Sequence, residues 1–373
     1  MDFAWDAEEV ELYDRALAFA KTLGTSREFS RERWSRCGDF GLLGLSAPKE
    51  LGGTGLGALV TARLLEAFGE GCSDAGLLFA ASAHLFACVM PIVEHADAAL
   101  ARAYVPALAS GRRIGANAIS EAEAGSDVFA MKTAAVRDGD HYVLHGSKSY
   151  VTNGPVADTF LVYAVTRRDR GFFGLTAFVI DADMPGLVRG QPFHKVGLHS
   201  APTGALYLDQ CRVPIANRLG DEGQGAPIFQ ASMDWERVCL FAAYVGAMAR
   251  DLVTAVSFAR DRTQFGRPIG KNQAISHRIA NMKLRLEAAR LLLYRACWSK
   301  DQGASAGIDI PLAKIAISEG AVQSGLDLVQ IHGSLGVTSE TGVVDSLLNA
   351  LPSTIFSGTS EIQRDFIARA LGL

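Results

Sequence analysis

Two segments of the chain combine small, hydroxyl and aromatic residues in a way that suits a planar ligand. The first, 117–127, follows a predicted strand and carries Ser120 and Ser126, so backbone N–H groups and hydroxyls can approach a hydrogen-bonding ligand closely. The second carries Tyr150 and Thr152, which lie two apart on a predicted strand and therefore share a face. An ordinary polar loop and a half-buried strand with a core tyrosine are the alternative interpretations.

Three further segments place glycine, basic or hydroxyl residues at predicted helix ends. Segment 262–273 interrupts two helices with glycine and proline and concentrates cations beside a helix N-terminus, where they could hold a diphosphate. A solvated loop between helices explains the same residues. Segment 330–337 ends a helix at glycine, and segment 355–364 offers Thr359 or Ser360 as a helix cap, so each of these is ordinary on its own.

The elements that must position these segments fall into three regions of different periodicity. Helical spacing dominates 1–113, short alternating runs separated by turn signals dominate 114–224, and long helical stretches return over 225–373. We therefore expect an α+β protein with an N-terminal helical domain, a middle antiparallel β-domain and a C-terminal helical bundle. The predicted helices span 8–23, 31–40, 62–68, 75–93, 227–261, 273–302, 311–332 and 360–371, and the predicted strands span 131–136, 141–144, 160–165, 175–180 and 204–208.

Composition argues against several classes of protein. The 373 residues are 49% hydrophobic and 20% charged, which excludes intrinsic disorder as the main state. A net charge of −4 without a long basic run argues against nucleic-acid binding, and no apolar stretch reaches the roughly 18 residues of a membrane span. The N-terminal residues lack signal-peptide features, and six scattered cysteines are typical of a reduced cytoplasmic protein. The histidines show no metal-ligand spacing, so we expect no metal site.

Together, the five segments, in this order and at these separations, resemble the acyl-CoA dehydrogenase superfamily over essentially the whole chain. The resemblance implies an N-terminal helical domain, a middle β-domain and a C-terminal four-helix bundle, in agreement with the three regions found from periodicity. It also implies FAD bound at a subunit interface, and hence a homo-oligomer, expected to be a tetramer. Reoxidation of the cofactor by an electron-transfer flavoprotein and by molecular oxygen both stay open.

Individual positions match the cofactor-binding residues of the family. Ser120 and Ser126 match positions that contact the flavin ring and the substrate arm. Tyr150 and Thr152 match an aromatic-x-threonine pair against the isoalloxazine, although the family most often has tryptophan at the first position. The positions that match residues on the diphosphate and adenosine side of FAD, all but the last acting from a neighbouring subunit, are Arg262, Phe265, Gln273, Gln330, Gly333, Ser334 and Thr359.

The resemblance places the catalytic base in the first bundle helix. The family's reaction removes a proton from Cα and a hydride from Cβ of an acyl thioester, so the protein must supply a positioned base. Many members have glutamate just before the Gly-Thr of the fifth segment, but Ser357 stands there. Glu236 matches the base of the branch that includes isovaleryl-CoA dehydrogenases, and the backbone N–H of Ser357 would donate to the thioester carbonyl. The alternative is that Glu236 only pairs with an arginine.

Several segments resemble one group of this superfamily, the prolyl-carrier-protein dehydrogenases of pyrrole-forming natural-product pathways. These segments are 42–53, 88–94, 235–243, 277–298 and 354–360. The resemblance implies oxidation of L-proline, held as a thioester on a peptidyl carrier protein, toward a pyrrole-2-carboxyl thioester. Because carrier proteins are acidic, the docking face should be basic. The candidate docking cations are Arg167, Arg168, Arg170, Arg278, Lys283, Arg285 and Arg290.

Two rival functions stay open at this point. A short or branched-chain acyl-CoA dehydrogenase, or one acting on another acyl carrier thioester, would use the same Glu236. A flavin monooxygenase on the same fold would take reduced flavin from a partner and could dispense with that base. A scaffold without FAD is disfavoured because four residues are retained: Glu236, Tyr150, Thr152 and Arg262.

Overall fold

The computed structural model describes residues 4–303 and 307–373, so the first three residues of the segment examined for signal-peptide features lie outside it. The N-terminal region consists of α1 (Ala7–Lys21), α2 (Arg31–Phe40), α3 (Ala58–Gly71), α4 (Ala75–His84), α5 (Met90–His95) and α6 (Ala98–Ala109). The middle region consists of β1 (Gly115–Ala118), β2 (Ala134–Asp138), β3 (His141–Thr152), β4 (Thr159–Val165), β5 (Leu175–Asp181), β6 (Leu187–Pro192), β7 (Thr203–Pro214) and β8 (Arg218–Leu219). The C-terminal region consists of α7 (Gly225–Trp235), α8 (Ala242–Asp261), a small hairpin of β9 (Thr263–Gln264) and β10 (Arg267–Pro268), α9 (Gln273–Asp301), α10 (Asp309–His332), α11 (Val343–Ala350) and α12 (Ser360–Ala370).

The order of helices, sheet and helices confirms the predicted α+β architecture. Helices predicted at 31–40, 273–302, 311–332 and 360–371 appear as α2, α9, α10 and α12, within two residues at each end. Periodicity missed α6 and α11. At α6 the missed signal is Asp97, whose carboxylate accepts the N–H groups of Ala99 and Leu100 and so caps the helix.

The middle sheet corrects the prediction of purely antiparallel strands. Its strand order is β6-β7-β3-β2-β4-β5-β8, with β1 also paired to β4. β1 runs parallel to β4, with Ala116 opposite Phe160, and β2 meets the end of β4 in parallel as well. Parallel pairing arises because the chain makes a long excursion through β2 and β3 before β4 returns beside β1. The sheet is therefore mixed.

Among the residues that the structure describes, two helical stretches are long and apolar enough, by composition alone, to cross a membrane. They are Ala75–His95 and Gly225–Asp261, so the expectation that no segment reaches this length was too strict. Their most apolar windows are 83% and 67% buried inside the protein, as in core helices of a folded domain. Each contains one wide turn with π-helical hydrogen bonding, at Leu85–Val89 and at Glu236–Leu240, which interrupts an otherwise continuous helix.

A close crossing of α3 and α8 joins the N-terminal and C-terminal regions. A Cβ added to Gly246 would lie 2.0 Å from the carbonyl oxygen of Glu66, and one added to Gly69 would lie 2.0 Å from that of Ala243. Only glycine allows the two backbones to come this close. The crossing therefore holds α8, and the wide turn Glu236–Leu240 that precedes it, against the helices of the N-terminal region.

Candidate active site

A cavity of about 1330 Å³ lies where the three regions meet. Ligand pockets usually measure about 300–1,000 Å³, so this one has room for a large ligand or for two ligands side by side. Its walls come from α4, the loop after β1, the end of β3, α7 and the turn before α12. The predicted site residues that line it are Ser120, Ser126, Tyr150, Thr152, Glu236, Ser357 and Thr359.

A bulge in β3 aims the hydroxyl and aromatic residues into the cavity. The pairing of β3 with β7 shifts register between Lys148 and Val151, and Tyr150 has a φ of +58°. The extra residue breaks simple alternation, so Ser149 lines the cavity together with Tyr150 and Thr152. Tyr150 is 68% exposed, which excludes the alternative that its ring packs in the core. Sequence alternation alone could not find Ser149 because a bulge leaves no clear periodic signal.

A buried ion pair that sequence reasoning missed fastens the loop carrying the two serines. Lys148 is buried, and its Nζ donates to the carbonyl of Ile119 at 3.0 Å and to Oε1 of Glu121 at 2.9 Å. Glu121 also accepts the backbone N–H groups of Lys132, at 2.7 Å, and Thr133, at 2.9 Å. Both ends of the loop are therefore tied to β3. The sequence signal that could have revealed this ion pair was Lys148 itself, a charged residue within a strand at a position that faces the interior.

The two partners of this ion pair respond differently to burial. Burial would by itself raise the pKa of Glu121, but the charge of Lys148 and the backbone donors outweigh it and lower the pKa. Burial lowers the pKa of Lys148 to about 8, against the opposing effect of Glu121. Glu121 thus stays ionised as a structural anchor, not as a proton acceptor.

Glu236 lies in a very different environment, at the junction of α7 and α8. It begins the wide turn Glu236–Leu240, a feature that often occurs at functional sites. Its side chain is only 8% exposed and accepts a hydrogen bond from the hydroxyl of Ser357. Burial raises the pKa of Glu236, and the Ser357 hydroxyl and the Arg237 charge only partly oppose it. A carboxylate with a raised pKa that faces a cavity is suited to accept a proton.

The neighbouring arginine does not neutralise this carboxylate. Arg237 Nε donates to the carbonyl of Ser357 at 2.9 Å, and its guanidinium lies 4.0 Å from Asp234. Within the described ranges no ion pair reaches Glu236, so the alternative of a Glu236 that only pairs with an arginine is not supported. Arg237 instead holds the peptide of Ser357, which has a φ of +56° and precedes Gly358, with a φ of +86°. Sequence reasoning did not single out Arg237.

Aromatic rings close the cavity beside Ser357. The rings of Phe79 and Phe356 both line the cavity, and their centroids lie 4.6 Å apart. Phe356 is backed by Phe241 at 5.4 Å and by Tyr244 at 6.3 Å. A wall of packed rings therefore lies beside Ser357, the residue whose hydroxyl donates to Glu236.

The remaining predicted cofactor residues lie outside the cavity. Segments 262–273 and 330–334 meet at one end of the bundle, where Ile269 packs with Leu328 and Ile331. The rings of Phe258 and His332 stack there at 4.1 Å. The predicted residues on this exposed surface are Arg262, Phe265, Gln273, Gln330, Gly333 and Ser334. Their assignment to FAD stays a prediction that requires a second copy of the chain.

Comparison with known proteins agrees with this fold and cavity. Three family models match in succession: acyl-CoA dehydrogenase N-terminal domain over 10–112, middle domain over 116–211 and C-terminal domain over 223–372. The chain therefore belongs to the acyl-CoA dehydrogenase family.

Similar proteins include two L-prolyl–peptidyl-carrier-protein dehydrogenases. The one from Pseudomonas fluorescens is 53% identical over 93% of this chain and 92% of its own length. The one from Serratia sp. is 43% identical over 100% of this chain and 99% of its own length. A solved structure described as PigA with FAD and proline superimposes with a TM-score of 0.98 at 42% identity and covers 100% of both chains.

Replacing Lys148 tests the anchor beneath the serine loop. In Lys148→Met the Glu121 carboxylate loses its buried partner, and we expect a loss of about 3–5 kcal/mol in stability. The melting temperature should fall, and the protein should retain less flavin on gel filtration. Adding Glu121→Gln to this variant removes the stranded charge and should recover part of the melting temperature. An unchanged melting temperature in Lys148→Met would contradict the anchor.

Proposed function

We propose that this chain is an FAD-dependent dehydrogenase that oxidises an L-prolyl group, held as a thioester on a peptidyl carrier protein, toward pyrrole-2-carboxyl. The observation that carries the proposal is the buried Glu236 carboxylate facing a cavity that the rings of Phe79 and Phe356 also line. The 53% and 43% identity to prolyl-carrier-protein dehydrogenases supports the same substrate class. A five-membered ring can pack against these two aromatic rings.

The residues of the cavity fit FAD. Ser120, Ser126 and Thr152 supply hydroxyls, and Tyr150 supplies an exposed ring, on the wall made by β3 and the preceding loop. Thr359 caps α12, whose N-terminus is suited to a phosphate group. When bound, FAD accepts the hydride removed from the substrate. The solved relative that contains FAD and proline, with 42% identity over the full chain, supports this assignment.

The exposed surface at the end of the bundle supports a homo-oligomer. The six predicted residues there do not line the cavity of their own chain. They would hold the diphosphate and adenosine side of FAD in a neighbouring copy, and a tetramer is the proposed assembly. All six cysteines are unpaired and buried, which fits the proposed cytoplasmic location.

Glu236 is the proposed base. Each two-electron oxidation takes one proton and one hydride from the substrate. In the first oxidation the carboxylate of Glu236 accepts the proton from Cα. Because Cα then carries no hydrogen, the second oxidation takes its proton and hydride from the rest of the ring. The N–H of Ser357 donates to the thioester carbonyl and stabilises the negative charge that develops there. Arg237 donates a hydrogen bond to the carbonyl of Ser357 and so holds the backbone of this residue in place. Two successive oxidations remove four hydrogens, so an external acceptor, either an electron-transfer flavoprotein or molecular oxygen, must reoxidise the cofactor between them.

The direct test of the substrate is the intact mass of a prolyl-loaded carrier protein after incubation with the FAD-bound enzyme. We expect a loss of four hydrogens, because two oxidations convert prolyl to pyrrole-2-carboxyl. Carrier protein loaded with acetate is the control, since an acetyl group has no Cβ to oxidise. No loss of mass, together with oxidation of a free acyl-CoA, would replace the carrier-bound proline with a CoA thioester.

The pH dependence of turnover tests the environment of Glu236. The base must be ionised, and its pKa lies above the ordinary 4.5 because the side chain is buried. Reduction of flavin by substrate should therefore accelerate as pH rises through a value above 4.5. Ser357→Ala removes a hydrogen bond that lowers this pKa, so the rising limb should move to higher pH. Stopped-flow measurements of the rate of flavin reduction over a series of pH values locate this rising limb. A shift of the limb to lower pH in Ser357→Ala would contradict the assignment of Glu236 as the base.

A further inference from the structure

A short turn between β4 and β5 projects beside the mouth of the cavity. This turn, residues 168–174, is called here the arginine turn. Phe172 of the turn lines the cavity, and its ring meets Phe129 at 5.3 Å and Phe173 at 5.2 Å. Phe173 is 64% exposed and Phe129 is 44% exposed. A row of rings thus leads from the cavity to the outer surface.

The arginine turn carries positive charge that the chain itself does not neutralise. Arg167, just before the turn, pairs with Asp169 at 3.1 Å. Arg168 and Arg170 are exposed, and neither has an ion pair in the part of the chain that the structure describes. Three arginines against one aspartate leave a net charge of +2 on residues 167–170.

The other docking cations suggested by the sequence are already paired within the chain. Arg278 and Arg285 both bind Asp327, Lys283 binds Glu287, and Arg290 binds Glu66 and Glu287. The prediction that these α9 cations face a partner is therefore not supported. Of the sequence candidates, Arg168 and Arg170 are left as charges that an external acidic group can meet.

The arginine turn is held in place although it is exposed. The carbonyl of Gly174 accepts the N–H groups of Thr166 at 2.9 Å and Arg167 at 3.1 Å. A Cβ on Gly174 would lie 2.0 Å from the carbonyl oxygen of Arg167, so the turn closes tightly only with glycine there. A surface whose backbone is already fixed loses little conformational entropy when a partner binds.

We propose that the arginine turn is the docking surface for the acidic carrier protein that delivers the substrate, an inference that rests on the proposed function. A folded carrier cannot enter the cavity, so only its thioester arm reaches Glu236 while its surface stays at the mouth. There, carboxylates of the carrier meet Arg168 and Arg170, and an apolar side chain of the carrier packs on Phe173. A small thioester can enter the cavity without making these contacts.

The test is the double variant Arg168→Glu/Arg170→Glu of the FAD-loaded enzyme. We expect the KM for a prolyl-loaded carrier, and the Kd of the same carrier measured by calorimetry, to rise at least about tenfold, because like charges repel across the interface. The maximal rate at saturation should stay unchanged, and so should the KM for a prolyl thioester of free pantetheine. The control is Arg15→Glu/Lys21→Glu, which changes the charge equally on exposed positions of α1 outside the cavity.

The readouts separate failure of the docking surface from failure of the proposed function. An unchanged Kd and KM for the carrier in the double variant would overturn the docking surface, even while the wild-type enzyme oxidises its substrate. A loss of affinity equal to that of the α1 control would overturn it as well, since only net charge would then matter. If the wild-type enzyme does not oxidise the prolyl carrier, the proposed function fails, and the Kd alone decides on the docking surface.

Discussion

Burial of the Glu236 carboxylate, with a single hydroxyl as its partner, is the constraint on which the rest of the site depends. A buried carboxylate without a counter-ion favours its protonated form, so it can accept a proton and hold it. The fold provides this setting through the wide turn that begins at Glu236 and through the close crossing of α3 and α8 at Gly69 and Gly246. The hydrogen bond from Arg237 to the Ser357 carbonyl then fixes the residue whose hydroxyl donates to Glu236.

Two buried glutamates show how environment separates structural from chemical roles. Glu121 has a full ion pair and two backbone donors, so its pKa falls and it serves as an anchor. Glu236 has one hydroxyl donor, so burial prevails and its pKa rises. The same residue type therefore holds the cofactor loop at one side of the cavity and offers a base at the other.

The sequence predicted the parts of this arrangement that depend on local patterns. The three-region order follows from hydrophobic periodicity, and the motif segments brought Tyr150, Thr152, Glu236 and Ser357 to one cavity. The family resemblance, rather than spacing, singled out Glu236 as the base.

What the sequence could not show depends on contacts between residues that are far apart along the chain. Lys148 meets Glu121 across 27 positions, and the α9 arginines are neutralised by Asp327, 49 and 42 positions away. The bulge at Tyr150 and the parallel pairing of β1 with β4 are likewise set by neighbouring strands, so neither leaves a clear local pattern. Such contacts decide which charges are free, and therefore where a partner can dock.

The measurement that tests the central claim most directly is anaerobic bleaching of the flavin by a prolyl-loaded carrier protein in Glu236→Gln. Glutamine keeps the shape of the side chain but cannot take up the Cα proton. Asp234→Asn, which changes another acidic residue of the cavity lining, serves as the matched control. The account predicts that Glu236→Gln binds FAD and shows no bleaching, while Asp234→Asn bleaches. Full bleaching by Glu236→Gln would contradict it.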